Sequence, residues 1–293
     1  MILKNLIKLI YTTIKGKFFW NYKLYLKYPS DFLNSNNNSS DDVVIVIQGP
    51  IMDSFTYETV KYYNKVFNEA VIVLSTWKLD SEIKNKFDKL KVEVLENEFP
   101  SKKGPYNINL QIISSSNGID YSERFNRKYI IKSRTDQRVY DPNTLKYLKN
   151  LMKVFPSNYS SRLIGCSLDS VLSRKFHLSD HFMFGDIKSM KNYWSPKIDN
   201  REIPSYNIED NNQHEFGLGG SYFFTQYIKN HLGLTINSNY EQILAENFLI
   251  VNKNDIGLYW NKYNLKFDKY VSNSIINEKD FAFWLNLYNK YNS

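Results

Sequence analysis

The apolar residues of this chain fall in short continuous runs, and the stretches between them have helical spacing. Val43-Val44-Ile45-Val46-Ile47 is β-branched throughout, the pattern of a strand covered on both faces. Ala70 through Ser75 repeats that pattern, Val92 through Leu95 is a shorter version, and Tyr129 through Ser133 is a fourth. Between these runs the spacing predicts helices over 56–68, over a Lys/Asp-rich 80–89 and over 107–117, with a polar loop at 97–106 and another helix at 142–153. Strands that alternate with helices imply right-handed crossovers and a largely parallel sheet. Beyond Pro156 the pattern is less regular, predicting strands at 162–168 and 181–185 and helices at 187–194, 219–231, 240–248 and 279–290. The expected class is α/β, a Rossmann-type, mostly parallel sheet flanked by helices. Its first half, about 43–155, reads as a nucleotide-binding unit, and its second half, about 156–293, as what is built onto it.

Ahead of that domain the pattern changes. Leu3, Ile7, Ile10, Ile14 and Phe18 recur at three- and four-residue steps while Lys4, Lys8 and Lys15 share another side, so residues 1–33 read as a basic amphipathic segment. Residues 34–42 are polar and read as a linker or loop. Residues 1–28 hold six lysines and no acid, which leaves a net charge of only +2 for the rest of a chain whose total is +8. The body therefore has no basic stripe, and nucleic acid is not an expected partner. Two readings of the leader stand: docking on an anionic inner leaflet, helped by Trp20, Tyr22, Tyr25 and Tyr28, or plain packing on the domain. A cleaved signal peptide is not expected, because lysines interrupt the apolar stretch. With 293 residues, 11 Gly, 8 Pro and one cysteine, collagenous, Pro/Gly-rich disordered and disulfide-scaffold classes are excluded. No apolar run approaches the roughly 20 residues of a spanning helix. A cytoplasmic protein, peripheral on the inner face of the membrane if the leader docks, is the expectation.

Ligands of open parallel sheets collect at the carboxyl ends of the strands. The first strand ends in Gln48-Gly49-Pro50, where Gly49 lets the backbone approach a ligand and Gln48 offers an amide to a base or ribose. The second ends in Thr76-Trp77, whose indole can stack on a flat ring; a tight turn and a core tryptophan are the plain alternatives. The fourth ends in Lys132-Ser133-Arg134-Thr135-Asp136-Gln137-Arg138. Three cations and one acid at such a place suit a diphosphate, with Asp136 as candidate ligand for Mg²⁺ or Mn²⁺. Asn107, Asn109 and Gln111 start a helix near the same edge, and their amides suit a sugar or nucleotide. His177-Leu178-Ser179-Asp180-His181 runs into Phe182-Met183-Phe184-Gly185, which argues for a strand with 177, 179 and 181 on one side. Three or four ligands are wanted for structural zinc, so Asp180 as general base, with His181 on the acceptor side, is the better reading. Glu241, in a first helical turn after Asn239, is the second candidate acid.

In order and spacing these segments resemble the WavE lipopolysaccharide synthesis family of bacterial glycosyltransferase-like proteins. The likeness is carried by Ile47-Gln48-Gly49-Pro50-Ile51, Leu74-Ser75-Thr76-Trp77, Asn107 through Gln111 with Gly118, Ile131 through Gln137, Ser179-Asp180-His181-Phe182 with Gly185, and Tyr240-Glu241-Gln242. It covers about residues 43–250. The resemblance implies a GT-A-like fold with a donor half and an acceptor half, a nucleotide-sugar donor and a growing lipid-linked or surface glycan as acceptor. By that analogy Arg134-Thr135-Asp136 occupies the place of an Asp-x-Asp metal motif, with Arg134 standing where the first aspartate falls. Two rivals remain: a metal-dependent hydrolase of nucleotide sugars or phosphodiesters, and a non-catalytic glycan-binding protein.

Overall fold

The computed structural model describes residues 40–157, 161–201, 219–261 and 278–292. The leader 1–33 and most of the linker lie outside the described residues. Nine strands and eight α-helices are formed among the described residues. In chain order they are β1 (Val43–Gln48), α1 (Asp53–Val66), β2 (Val71–Trp77), α2 (Ser81–Phe87), β3 (Glu93–Asn97), α3 (Ile108–Ser122), β4 (Tyr129–Arg134), β5 (Gln137–Val139), α4 (Thr144–Val154), β6 (Leu163–Cys166), β7 (Met183–Asp186), α5 (Ile187–Trp194), α6 (Gly219–His231), α7 (Tyr240–Asn247), β8 (Phe248–Val251), β9 (Leu258–Trp260) and α8 (Phe281–Asn292).

Seven strands make one sheet in the order β3-β2-β1-β4-β7-β6-β8, and β5 pairs with β9 in a separate ribbon. β7 alone runs against the rest, antiparallel to both β4 and β6. The expected mostly parallel α/β architecture is therefore present. All six residues of β1 are buried, as its unbroken β-branched run requires when helices cover both faces. From β1 the chain moves outward to β2 and β3, then jumps back past β1 to β4. With right-handed crossovers this reversal puts α1 and α2 on one face and α3 on the other, and opens a crevice between the carboxyl ends of β1 and β4.

Register fixes which side chains face that crevice. Val46 pairs with Lys132 and Gln48 with Arg134, so these four share the α3 face. α3 lies close because Gly118 has no side chain: a Cβ there would meet Val46 Cγ1 at 2.7 Å and Ser75 Cβ at 2.9 Å. α5 packs below it with fully buried Trp194. At the far edge α7 and α8 cover β8, and Trp284 donates to Leu244 O at 3.3 Å.

Three sequence expectations are corrected. Residue 248 begins β8 and does not end a helix; the Phe248–Val251 run follows α7 without a break. Segment 177–182 is irregular, and the strand starts at Met183. The ribbon strands β5 and β9, three residues each, have no counterpart among the predicted elements.

Two lysines among the described residues, Lys132 and Lys279, are fully buried. Lys279, just ahead of α8, donates to His177 O at 2.9 Å and to Arg174 O, and burial pushes its ammonium down to about 7, with Arg174 adding to the shift. The folded value lies below the unfolded one, so the unfolded chain holds more protons between about pH 7 and 10 and stability rises with pH across that window. The stability difference between Lys279→Met and the natural chain should therefore move in favour of the natural chain by about 1 kcal/mol per pH unit from 7 to 10. Urea melts at pH 7, 8.5 and 10 measure that slope; a flat difference would refute it.

Candidate functional site

A cleft of about 290 Å³ opens at the carboxyl ends of β1, β2 and β4, lined by Gln48, Gly49, Pro50, Trp77, Asn107, Gln111, Arg134 and Asp136 together with Met52, Tyr106, Leu110, Ser114 and Thr135. Eight residues singled out from distant parts of the sequence thus meet at the topological switch point. A wider groove of about 660 Å³ runs along β3 and α3, but the arginine among its lining residues, Arg124, is stacked 3.5 Å over the Tyr121 ring. The smaller cleft is the one that gathers the residues singled out from the sequence.

Its floor is the turn after β1. Gly49 has φ of 121°, a conformation that favours glycine, and a Cβ there would come 3.0 Å from Thr135 Oγ1. Gly49 N donates to Ser75 O at 3.0 Å and Thr135 N to Gln48 O at 3.0 Å, which ties the ends of β2, β1 and β4 together. Ser114 Oγ donates to Gln48 Oε1 at 2.7 Å, which leaves the amide nitrogen of Gln48 as the end available to a ligand. The rim is Tyr106-Asn107, both in left-handed backbone at φ 50° and 62° and both exposed. Such consecutive strained positions cluster at ligand sites. Trp77 forms a wall, its ring stacked on exposed Phe99 with centroids 4.5 Å apart.

The charged end is Arg134 and Asp136. Arg134 Nε and Nη2 donate to Asp136 Oδ1 and Oδ2 at 2.9 and 3.0 Å. The acid's side chain is only 3% exposed while the arginine's is 23% exposed. Trp260 of β9 adds a third donor, Nε1 to Asp136 Oδ2 at 3.0 Å. Burial opposes the guanidinium's charge, but the field and hydrogen bonds of Asp136 outweigh it, so Arg134 stays cationic. For Mg²⁺ or Mn²⁺ this donor set does not fit. Both oxygens of Asp136 already accept N–H groups, and no group of three or more His, Cys, Asp or Glu side chains converges among the described residues.

The other sequence candidates lie around or away from the cleft. Lys132 is fully buried beneath it, its Nζ 4.0 Å over the Trp194 ring and donating to Asp180 O. Burial, opposed by Asp180, pushes it down to about 7, so it is a buried member of the wall and not a diphosphate contact. Arg138 is turned away, donating to Thr59 Oγ1, Tyr140 Oη and Phe55 O. Thr76 is buried with an unpartnered hydroxyl, outside the lining. His181 is buried with Nδ1 on Gln137 and its ring 4.3 Å from Trp260; burial pushes it down to about 3, so it is neutral and closed to an acceptor. Asp180 sits next to the lining, with its carbonyl accepting from Gln111 Nε2 at 3.4 Å. Burial would raise its carboxyl, but the fields of Lys132 and Arg134 and a hydrogen bond from Gln111 outweigh that and hold it below the usual range. Glu241 is outside the lining on α7, half-buried and paired with Lys290 at 2.7 Å and Tyr291 at 3.2 Å. Asn109 is a structural tie, bonded to Asp199 N and O. Trp260 and Ser114, which position Asp136 and Gln48, carry no motif that marks them in the sequence.

A family model described as WavE lipopolysaccharide synthesis matches residues 43–218. No curated protein matches the chain. Among solved structures, the chain is similar at 13% identity to HddC from Yersinia pseudotuberculosis, covering 56% of this chain and 86% of that one with a TM-score of 0.36. It is similar at 12% identity to a glycosyltransferase involved in the glycosylation of the major capsid of PBCV-1, covering 72% and 82% with a TM-score of 0.37. A cytidylyltransferase from Leptospira borgpetersenii also matches at 12% identity, covering 85% and 94% with a TM-score of 0.37. Among the described residues no helix is long and apolar enough to cross a membrane.

Proposed function

The chain belongs to the WavE lipopolysaccharide synthesis family, and from that premise we propose that it is a glycosyltransferase of GT-A-like fold. It moves a sugar from a nucleotide-sugar donor to a lipid-linked or surface glycan in bacterial lipopolysaccharide or capsular polysaccharide synthesis. The observation that supports this most is the cleft at the ends of β1, β2 and β4, aromatic and amide-lined at one end, with the Arg134 guanidinium held on Asp136 at the other. A nucleoside suits the Gln48, Trp77 and Asn107 end, and a diphosphate suits Arg134. As the glycosidic bond breaks, charge grows on the departing diphosphate, and a fixed guanidinium stabilises that state more than the bound donor. On this reading the enzyme works on the cytoplasmic face, and the basic leader is its contact with anionic lipid.

Thermal-shift screening with nucleoside diphosphates identifies the nucleotide, since a ligand of the folded state raises its melting point. Donor consumption with and without a lipid-linked glycan fraction then separates the classes. A transferase couples loss to glycan product, a hydrolase needs no acceptor, and a binder consumes nothing. Because Asp136 is already saturated with N–H donors, EDTA should leave transfer within about twofold of its untreated rate. Complete loss restored by Mn²⁺ would show that a cation displaces those donors.

A further inference from the structure

The carboxyl edge of the sheet does not end at the cleft, and the strand register shows where it leads. Lys132 of β4 pairs with Met183 of β7, Met183 with Gly165 of β6, and Gly165 with Ile250 of β8. β4, β6 and β8 point the same way, because β7 runs against both β4 and β6. Two residues further along each of them, Arg134, Ser167 and Asn252 therefore stand level at one edge. Ser167 N still donates to Val251 O at 2.9 Å, so the β6 and β8 pairing is carried to that level. At a strand spacing of about 4.8 Å, Ser167 lies two spacings from Arg134 and Asn252 three, or about 10 and 14 Å. There a second hollow opens, about 490 Å³ in volume, with Ser167 and Asn252 in its lining. The chain leaving β8 at Asn252 returns to Trp260, whose indole donates to Asp136 at 3.0 Å. Residues 252–260 thus join the hollow to the charged end of the cleft.

Its lining suits a sugar better than a nucleotide. Lys253 Nζ donates to both oxygens of Glu278, at 2.7 and 3.0 Å, which holds an ammonium and a carboxylate side by side. Exposed Asp280 accepts from Phe283 N at 2.8 Å through Oδ1. Each carboxylate has lone pairs beyond those bonds for hydroxyl donors. Leu172, 39% exposed, and half-buried Phe283 add apolar surface to the same hollow. One lysine against Glu278 and Asp280 gives the lining a net charge of 1 − 2 = −1. A diphosphate or an acidic sugar is repelled by that balance. An uncharged sugar, with hydroxyls at its edge and C–H groups on its faces, matches it.

We propose that this hollow is the acceptor subsite, holding an uncharged sugar residue of the acceptor glycan set back from the residue whose hydroxyl attacks. Its role as an acceptor site rests on the glycosyl-transfer reading of the cleft. The distance from Arg134 leaves room between them for the transferred sugar and the reacting end of the glycan. The two hollows then divide the work along one edge, with the donor at β1, β2 and β4 and the glycan at β6 and β8.

The test uses the full chain and a panel of uncharged disaccharides of hexose and N-acetylhexosamine units, titrated by saturation-transfer NMR, with a hexuronic-acid disaccharide as charged control. At least one uncharged disaccharide should bind and should stay bound when nucleoside diphosphate saturates the cleft. The charged control should bind about fivefold more weakly or worse. Leu172→Trp, which narrows the hollow from an exposed position, should weaken the bound disaccharide about tenfold. Asp280→Asn keeps a helix-capping side chain but replaces a charged acceptor by a neutral one, and should weaken it about fivefold. Melting curves of both variants, matching that of the natural chain, tie these losses to the site. Displacement of the disaccharide by nucleoside diphosphate, unchanged affinity in both variants, equal binding of the charged control, or no binding across the panel would each overturn the proposal. The glycosyl-transfer reading is judged separately, by donor consumption. A sugar bound here by a chain that consumes no donor would keep the site and remove its acceptor role.

Discussion

Replacing Arg134 by alanine is expected to lower transfer by about 10²–10³-fold and to leave the chain folded. The rate effect comes from where the guanidinium stands. It is the last residue of β4, cationic, and held against Asp136 by two hydrogen bonds of 2.9 and 3.0 Å, so its orientation is set before any donor arrives. A fixed donor aimed at developing charge contributes roughly 10²–10³ in kcat where such groups have been removed from other sites. The loss is compounded here, because Asp136 then faces the diphosphate without its ion-pair partner. The chain should still fold, since β4 pairs with β1 and β7 through its backbone, but at a cost of about 3 kcal/mol for leaving buried Asp136 without its partner. Arg134→Lys should fall between, as an ammonium cannot span both carboxylate oxygens. Steady-state kinetics beside circular-dichroism melts provide the check; near wild-type turnover in Arg134→Ala would remove it from the site.

The lining of this cleft is legible in the sequence because parallel strands advertise themselves. β1, β2 and β4 are continuous apolar runs, and the residues after each of them must lie on one edge of the sheet, whatever the loops do. Gln48, Trp77 and Arg134 can therefore be grouped from the pattern alone. Lys132 shows the limit of that logic. It shares a face with Arg134 two residues on, but depth within the strand decides its role, and Trp194 of α5 closes over it. Residues 177–182 alternate like a strand although their path is set by side-chain bonds such as Ser170 to Ser179, which no periodicity records. β5, β8 and β9 have three or four residues each, too few for a period, and β8 follows a helix directly. Trp260 reaches Asp136 across 124 positions of sequence, and no local pattern marks it.

Asp136→Ala should also destabilise the fold and should separate two accounts of this acid. In the structure the carboxylate is buried and accepts three hydrogen bonds, while its carbonyl accepts from Asn261 N at 2.9 Å. Breaking a buried ion pair by removing one partner costs about 3–5 kcal/mol, and the partial exposure of Arg134 places this case at about 3. Arg134→Ala/Asp136→Ala should recover part of that loss, because no uncompensated guanidinium is then left. The kinetic expectation has opposite signs for its two components. The cleft becomes more cationic by one charge, so donor affinity should hold or rise, yet kcat should fall by about 10²-fold because Arg134 loses the group that aims it. A metal-ligand role predicts something else: donor affinity measured in Mn²⁺ would collapse with Asp136→Ala and become insensitive to EDTA. Calorimetric titration of the natural and variant chains with nucleoside diphosphate, with and without Mn²⁺, decides between them. Tight binding by Asp136→Ala in either buffer identifies the aspartate as the mount for an arginine, and a Mn²⁺-dependent loss identifies it as a ligand.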